Sequence, residues 1–462
     1  MAEFNVITKF NIMSKEPTAR IDSEYYRKHY IENEEIIKKT GKTYKIGQRF
    51  HVTDGEHGNV EYLSSGVKYL TAENIKNGFV DMSKIRYVSN AVHTRNSRAS
   101  VNQGDILISI KATLGQVAMA EEWLPPCNMN RDVAIIKPLF LNQRNSENAY
   151  LAAFLMSKFG FIQAQRGGSG GVQQMITLER LRNFVVPSFT PNLYSKIYKL
   201  VTDAYNSKNQ SIIHFNQAEQ VLLERLGFLD FSLAHSLCTV KGLMNSFYTS
   251  GRIDGEYHQE RYDFIEAKIS STHTVKSLCR INDGRFIPEK REYNYIELSN
   301  IGDFGNITGQ TTALFNNLPS RARRLVKKGQ VIISSIEGSL SSCAMITDEN
   351  DGSICSTGFY IVESNKINTE TLLILFKSPP IQTLMRRRCS GTILTAISKG
   401  ALEQMPLPEI DKNIQYIISD EVQKSIKLRH QFRESLNVAI KAVEIAIEKN
   451  ENCALSFIDS VS

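Results

Sequence analysis

Arg20-Ile21-Asp22-Ser23-Glu24-Tyr25-Tyr26 returns 232 positions later as Arg252-Ile253-Asp254-Gly255-Glu256-Tyr257-His258. Gly104-Asp105-Ile106-Leu107-Ile108-Ser109 likewise pairs with Gly329-Gln330-Val331-Ile332-Ile333-Ser334 at an offset of 225. Arg166 with Ser169-Gly170 pairs with Arg387 with Ser390-Gly391 at 221, and Val186-Pro187 pairs with Leu407-Pro408 at 221. Matched order with a slowly shrinking offset is the mark of one unit duplicated. Two similar halves favour pseudo-twofold symmetry, and that shape suits a two-part or palindromic target.

A chain of 462 residues is too long for one core, so roughly two to four domains are expected. Hydrophobic content of 42% and charged content of 22% exclude wholesale disorder. A net charge of +7 is compatible with a polyanionic partner. None of the seven cysteines forms a C-x-x-C pair or has a histidine at ligand spacing, so neither zinc nor a disulfide framework is expected. Their odd, scattered placement points to reduced thiols in a cytoplasmic protein. No signal peptide and no membrane span are expected either.

Each half shows the same series of segments. A polar helix with aromatics is expected over 23–39 and 256–268. Short β-type runs follow at 68–70, 106–110 and 133–136, and at 295–298, 331–334 and 359–362. One helix comes next, at 148–159 and at 369–377. A Gly/Ser loop, a short helix and a proline stop then close the globular part. After each stop lies a long amphipathic pattern. Leu193, Ile197, Leu200 and Ala204 step by four, three and four, and Ile212, Phe215, Leu222 and Leu226 resume the stripe after a polar break. In the second half the stripe is Ile414, Ile418, Val422 and Ile426, then Phe432, Leu436, Ile440, Val443 and Ile447. Threes and fours sustained this long predict helices that pack on each other, each a rod of about 50 Å at ~1.5 Å per residue.

Catalytic motifs are missing. Gly41-Lys42-Thr43 ends like a P-loop, but Ile36 stands where the first glycine belongs. The glycines at 167–171 follow a helix rather than a strand and lack dinucleotide spacing. Pro125-Pro126 and Pro379-Pro380 are followed by Cys127 and Ile381, not by the aromatic that stacks a flipped base in amino-methyltransferases. Asp254 with Glu266 and Lys268 imitates a nuclease set but sits in a helical pattern. A binding or adaptor protein is the expectation. Its polar clusters fit that role: Lys111 and Thr113 at a strand tip, the basic run Arg321, Arg323, Arg324, Lys327 and Lys328, and Arg386-Arg387-Arg388 entering a Gly/Ser loop. Backbone amides of such loops approach phosphate, basic side chains neutralise it, and Asn or Gln read base edges.

The chain resembles the DNA-specificity subunit of type I restriction–modification systems across nearly its full length. The marks are Arg20 to Tyr26, Asp54-Gly55-Glu56-His57-Gly58, Tyr69-Leu70-Thr71-Ala72-Glu73-Asn74-Ile75 with Gly78-Phe79-Val80, Gly104-Asp105-Ile106-Leu107, and Ser169-Gly170-Gly171-Val172-Gln173-Gln174 closing at Pro187. The second half departs from the first, with Asp283-Gly284-Arg285-Phe286 for the Asp-Gly-x-His-Gly loop and Glu337-Gly338-Ser339 for Lys111-Ala112-Thr113.

The resemblance implies an α+β chain of two similar mixed α/β target-recognition domains, related by pseudo-twofold duplication and separated by a pair of long antiparallel helices. The expected boundaries are 1–190 for the first recognition domain, 191–230 for its helix, 231–410 for the second domain, 411–450 for its helix, and 451–462 for a tail. Each domain is expected to read half of a bipartite double-stranded DNA target without catalysis. The expected partners are two modification subunits, to which a motor-nuclease subunit can join. S-adenosylmethionine, and ATP with Mg, are expected on those partners and no cofactor or metal on this chain. Candidate DNA contacts are Lys68, Asn74, Lys111, Thr113, Arg166, Ser169, Gln173 and Gln174 in the first half. In the second they are Arg285, Lys290, Arg321, Arg323, Arg324, Arg386, Arg387, Arg388, Ser390 and Thr392. Alternatives are a specificity partner of a fused methylase–nuclease, or a metal-dependent nuclease using Asp254, Glu266 and Lys268.

Overall fold

The computed structural model describes residues 22–82, 85–139, 145–168, 174–229, 238–269, 271–287, 291–391 and 395–461. Two compact units emerge, one of residues 1–208 with 429–462 and one of residues 209–428.

In the first unit a four-stranded antiparallel sheet has the order 50–54, 133–138, 106–109, 117–119. In the second the order is 280–282, 359–363, 331–334, 343–345, with the same antiparallel pairings. The duplication written in the sequence is thus a duplication of topology. The central strands read as unbroken apolar runs because both of their faces are covered. Ile106 and Ile108 join the core under the helix Ser146–Met156, while Leu107 points the other way with Leu70, Met129 and Ile135. Val331 and Ile333 alternate with Ile332 in the same manner. A further sheet covers that second face. It holds strands 86–88, 67–70 and 127–129 in the first unit, and four strands in the second, where 322–325 pairs with 354–356.

Several expected elements shift. The segment 23–26 is a turn, with the helix beginning at Lys28–Lys39, because the Asp22 carboxylate accepts the Tyr25 amide. Asp254 accepts the Tyr257 amide likewise, and the following helix is Glu260–Ile269. The expected helix 148–159 is two helices, Ser146–Met156 and Lys158–Gly167. Ser157 divides them, turning its hydroxyl to the Phe154 carbonyl and capping the second. Ser378 divides Thr369–Lys377 from Pro379–Arg387 at the same place in the repeat.

The two long patterns are helices, Pro191–Leu226 and Lys412–Glu448, of 36 and 37 residues. The polar stretch near Asn206 does not interrupt the first. Each helix contributes one half to each unit. Within the second unit Ser425 donates to the Ser211 carbonyl (2.6 Å) and His214 meets Glu421 (2.7 Å), so the partners run in opposite directions. Phe215, Ala218 and Leu222 pack there with Ile418 and Val422. Within the first unit Leu193, Ile197 and Val201 share a core with Leu436, Ala439 and Val443, and Tyr205 stacks on Phe432. The segment 451–461 is a further helix, Glu451–Val461, burying Ala454 and Ile458 in that core. Its Glu451 accepts the Thr190 amide at the start of the first long helix, where negative charge is favoured.

Candidate nucleic-acid interface

The strand tip meets the segment that follows the Gly/Ser loop in both units, although the two are far apart in sequence. In the first, the Ile176 amide donates to the Ile110 carbonyl (2.9 Å), and Lys111 bridges to Met175. This sets Thr113 and Gln174, both exposed, at one end of the unit, with Lys111 half-buried 3.7 Å from Asp132. In the second, Ile397 donates to the Ser335 carbonyl and Glu337 to the Thr395 carbonyl. The expected contacts Ser169, Gln173, Lys290 and Thr392 lie outside the described residues.

At the same end of the second unit Phe286 donates to the Arg323 carbonyl and Thr357 to that of Arg321. Arg285 and Arg321 are exposed, and Arg323 lies half-exposed over the Phe315 ring. Arg324 is held lower, its guanidinium donating to the Phe359 carbonyl and lying over Tyr360. Lys399 pairs with Asp283 at 2.8 Å, whose carboxyl it holds below the usual range.

The duplicated arginines turn inward. Arg166 donates through Nε to the Tyr25 carbonyl (3.1 Å), stacks on the Tyr25 ring, and pairs with Glu34 at 2.6 Å. Arg387 donates through Nε to the Tyr257 carbonyl (3.1 Å), stacks on Tyr257, and pairs with Glu266 at 3.1 Å and Asp263 at 3.4 Å. Each arginine therefore ties the turn at Tyr25 or Tyr257 to the helix ahead of the Gly/Ser loop. Arg388 is also engaged, with Glu266 at 2.7 Å and the Leu384 carbonyl. Of the basic triplet only Arg386 is exposed, beside exposed Ser390. Buried cations need such partners, which is why the repeat preserves the arginine. Asn74 is likewise 1% exposed and structural, accepting the Thr71 amide and donating to the Asp81 carbonyl. Asn300 accepts the Glu297 amide at the matching turn. Lys68 donates to the carbonyls of Trp123 and Leu124. Asp254, Glu266 and Lys268 do not converge. Asp254 pairs with Arg252, Glu266 with Arg387 and Arg388, and Lys268 lies over Phe228 and Phe264.

With this geometry in place, residues 42–214 match the family described as the type I restriction modification DNA specificity domain. The matched stretch is 173 of the 462 residues and lies within the first half of the chain. No curated protein matches the sequence. Among solved structures, the type I restriction-modification S subunit from M. genitalium is 14% identical, with a TM-score of 0.39 over 88% of this chain and 95% of that one. The HsdS subunit from Thermoanaerobacter tengcongensis is 12% identical, with a TM-score of 0.28 over 88% and 97%. No helix among the described residues is long and apolar enough to cross a membrane.

The first unit holds further cations that no motif in the sequence marks. Arg98 is one. Val101 donates to the Cys127 carbonyl and Val326 to that of Ser353, so these valines hold one place in the repeat. Counting back three from each gives Arg98 and Arg323, at the same offset of 225 that relates Gly104 to Gly329. The duplication alone could have found this pair. Arg98 sends its guanidinium to the Thr53 hydroxyl, the Gly55 carbonyl and the Asn96 side chain. The 54–58 loop also meets other cations: His57 lies 2.8 Å from Asp54, Arg95 pairs with Glu56 at 3.1 Å, and the amide of exposed Arg131 donates to the Glu56 carbonyl. That loop is locked because a Cβ on Gly55 would stand 2.0 Å from the Met129 carbonyl oxygen.

Proposed function

We propose that each unit reads one half of a bipartite double-stranded DNA target, and that the chain does so as the non-catalytic specificity subunit of a type I complex. The observation that carries this reading is repeated in each unit: the strand tip meets the segment that follows the Gly/Ser loop, and an arginine stands three residues before a buried valine. Basic side chains there supply phosphate neutralisation, and exposed Gln174, Arg285 and Arg321 supply donors for base edges. The departure of 283–286 from 54–58 fits two different half-sites.

The antiparallel helices serve as the ruler between half-sites and as the docking surface for two modification subunits, which bring S-adenosylmethionine. A motor-nuclease subunit with ATP and Mg joins for cleavage. Shortening 192–226 and 412–448 by two turns each should shorten the unread gap and leave both half-sequences unchanged, as read by sequencing methylated bases in cells. Altered half-sites with an unaltered gap would remove the helices from that role. Incubating the pure chain with labelled S-adenosylmethionine and DNA should give no methyl transfer until a modification subunit is added.

A further inference from the structure

We infer that Arg95 is a base-reading residue of the first unit, positioned by Glu56, and that the half-site read by this unit contains a guanine at the contacted position. The inference rests on the DNA-specificity reading above.

Arg95 ends the helix Asn90–Arg95 and keeps 61% of its side chain exposed. Its Nε (3.2 Å) and Nη2 (3.1 Å) both donate to one oxygen, Oε2 of Glu56. This side-on grip uses one edge of the guanidinium. The end-on edge, Nη1 with the remaining Nη2 hydrogen, is left facing away from the carboxylate. That edge is the fork that matches the O6 and N7 acceptors of guanine in the major groove.

Glu56 is itself fixed. Its amide donates to the Met129 carbonyl (2.9 Å), its carbonyl accepts the Arg131 amide (3.0 Å), and its Oε1 accepts the Gly58 amide (3.0 Å). The Gly58 amide, together with Arg95, holds the carboxyl below the usual range against the opposing effect of burial. An arginine locked in this way loses little freedom on binding. The same carboxylate argues against phosphate as the ligand. Its charge offsets that of Arg95 and repels an anion, whereas the guanine edge is neutral. Arg98, with all three guanidinium nitrogens engaged, is the buttress of the loop rather than a second reader.

The repeat makes the contact one-sided. At the offset that aligns Val101 with Val326, position 95 corresponds to Ser320, so the second unit has no arginine there. Arg95 therefore sets one base of one half-site only.

The test uses the full chain, selecting from a duplex library with randomised sequence, for wild type, Arg95→Ala, Arg95→Lys and Glu56→Gln. Wild type should select a two-part motif with a guanine in one part. Arg95→Ala and Arg95→Lys should both lose preference at that base by roughly 5- to 150-fold and keep it at every other position. Lysine retains the charge but not the fork, so its failure to rescue separates base reading from phosphate attraction. Glu56→Gln should relax the same position by a smaller factor without changing the salt dependence, which a merely structural role would not do. An unchanged motif in Arg95→Ala, whether or not affinity falls, overturns the inference and leaves the specificity reading standing. A wild-type chain that selects no motif overturns both.

Discussion

Arg386 and Arg387 are sequence neighbours with opposite fates, and replacing each by alanine tests the latch. Arg387 is 9% exposed and holds the Tyr257 carbonyl, the Tyr257 ring and two carboxylates. Removing one partner of a fully buried ion pair costs about 3–5 kcal/mol. Here the cost is reduced, because the side chains of Asp263 and Glu266 remain 50% and 31% exposed, and Glu266 keeps Arg388. The lost carbonyl hydrogen bond contributes about 1–1.5 kcal/mol and the lost stacking about 0.5–1 kcal/mol. Arg387→Ala should therefore destabilise the chain by about 2–3 kcal/mol in urea unfolding followed by circular dichroism. Arg386→Ala, one residue away on the exposed side, should stay within about 0.5 kcal/mol. Equal losses, or a loss below about 0.5 kcal/mol for Arg387→Ala, would refute the assignment of Arg387 to the interior.

Arg386→Ala should act on DNA instead. The slope of log affinity against log salt should fall by about 0.9 if the side chain neutralises one phosphate, with base preference intact. Asn74→Ala strands the Thr71 amide and the Asp81 carbonyl at a nearly sealed site, and should cost about 2–3 kcal/mol of stability by the same unfolding measurement. Glu34 sits below the usual carboxyl range: burial raises it, but the bonds from Lys38 and Arg166 outweigh that. A carboxyl depressed in the folded state stabilises above its unfolded value, ~4.3, and loses that contribution as pH falls through the folded value. Glu34→Gln should accordingly lower stability at pH 7 and flatten the loss seen on acidification below about pH 5, measured as urea midpoints across pH.

The duplication, the order of elements and the two long helices are legible in the residue order alone. The helical stripes predict rods within 191–230 and 411–450, and the helices observed are Pro191–Leu226 and Lys412–Glu448. Such signals are local and periodic, so a run of a few turns carries them without reference to the rest of the chain. The strands at 106–109 and 331–334 were legible for the same reason. Which charged side chains face solvent was not. Arg166 and Arg387 read as DNA contacts because they flank Gly/Ser loops, yet their partners Tyr25 and Tyr257 lie more than a hundred positions away. Glu56 and Arg95 are 39 positions apart and are joined only when the loop after the first sheet strand folds onto residues 129–131. A basic side chain is buried when a distant carboxylate and carbonyl offset its desolvation, and is displayed when they do not. That balance is set by which elements pack together, so it arises with the packed fold and has no local mark in the residue order.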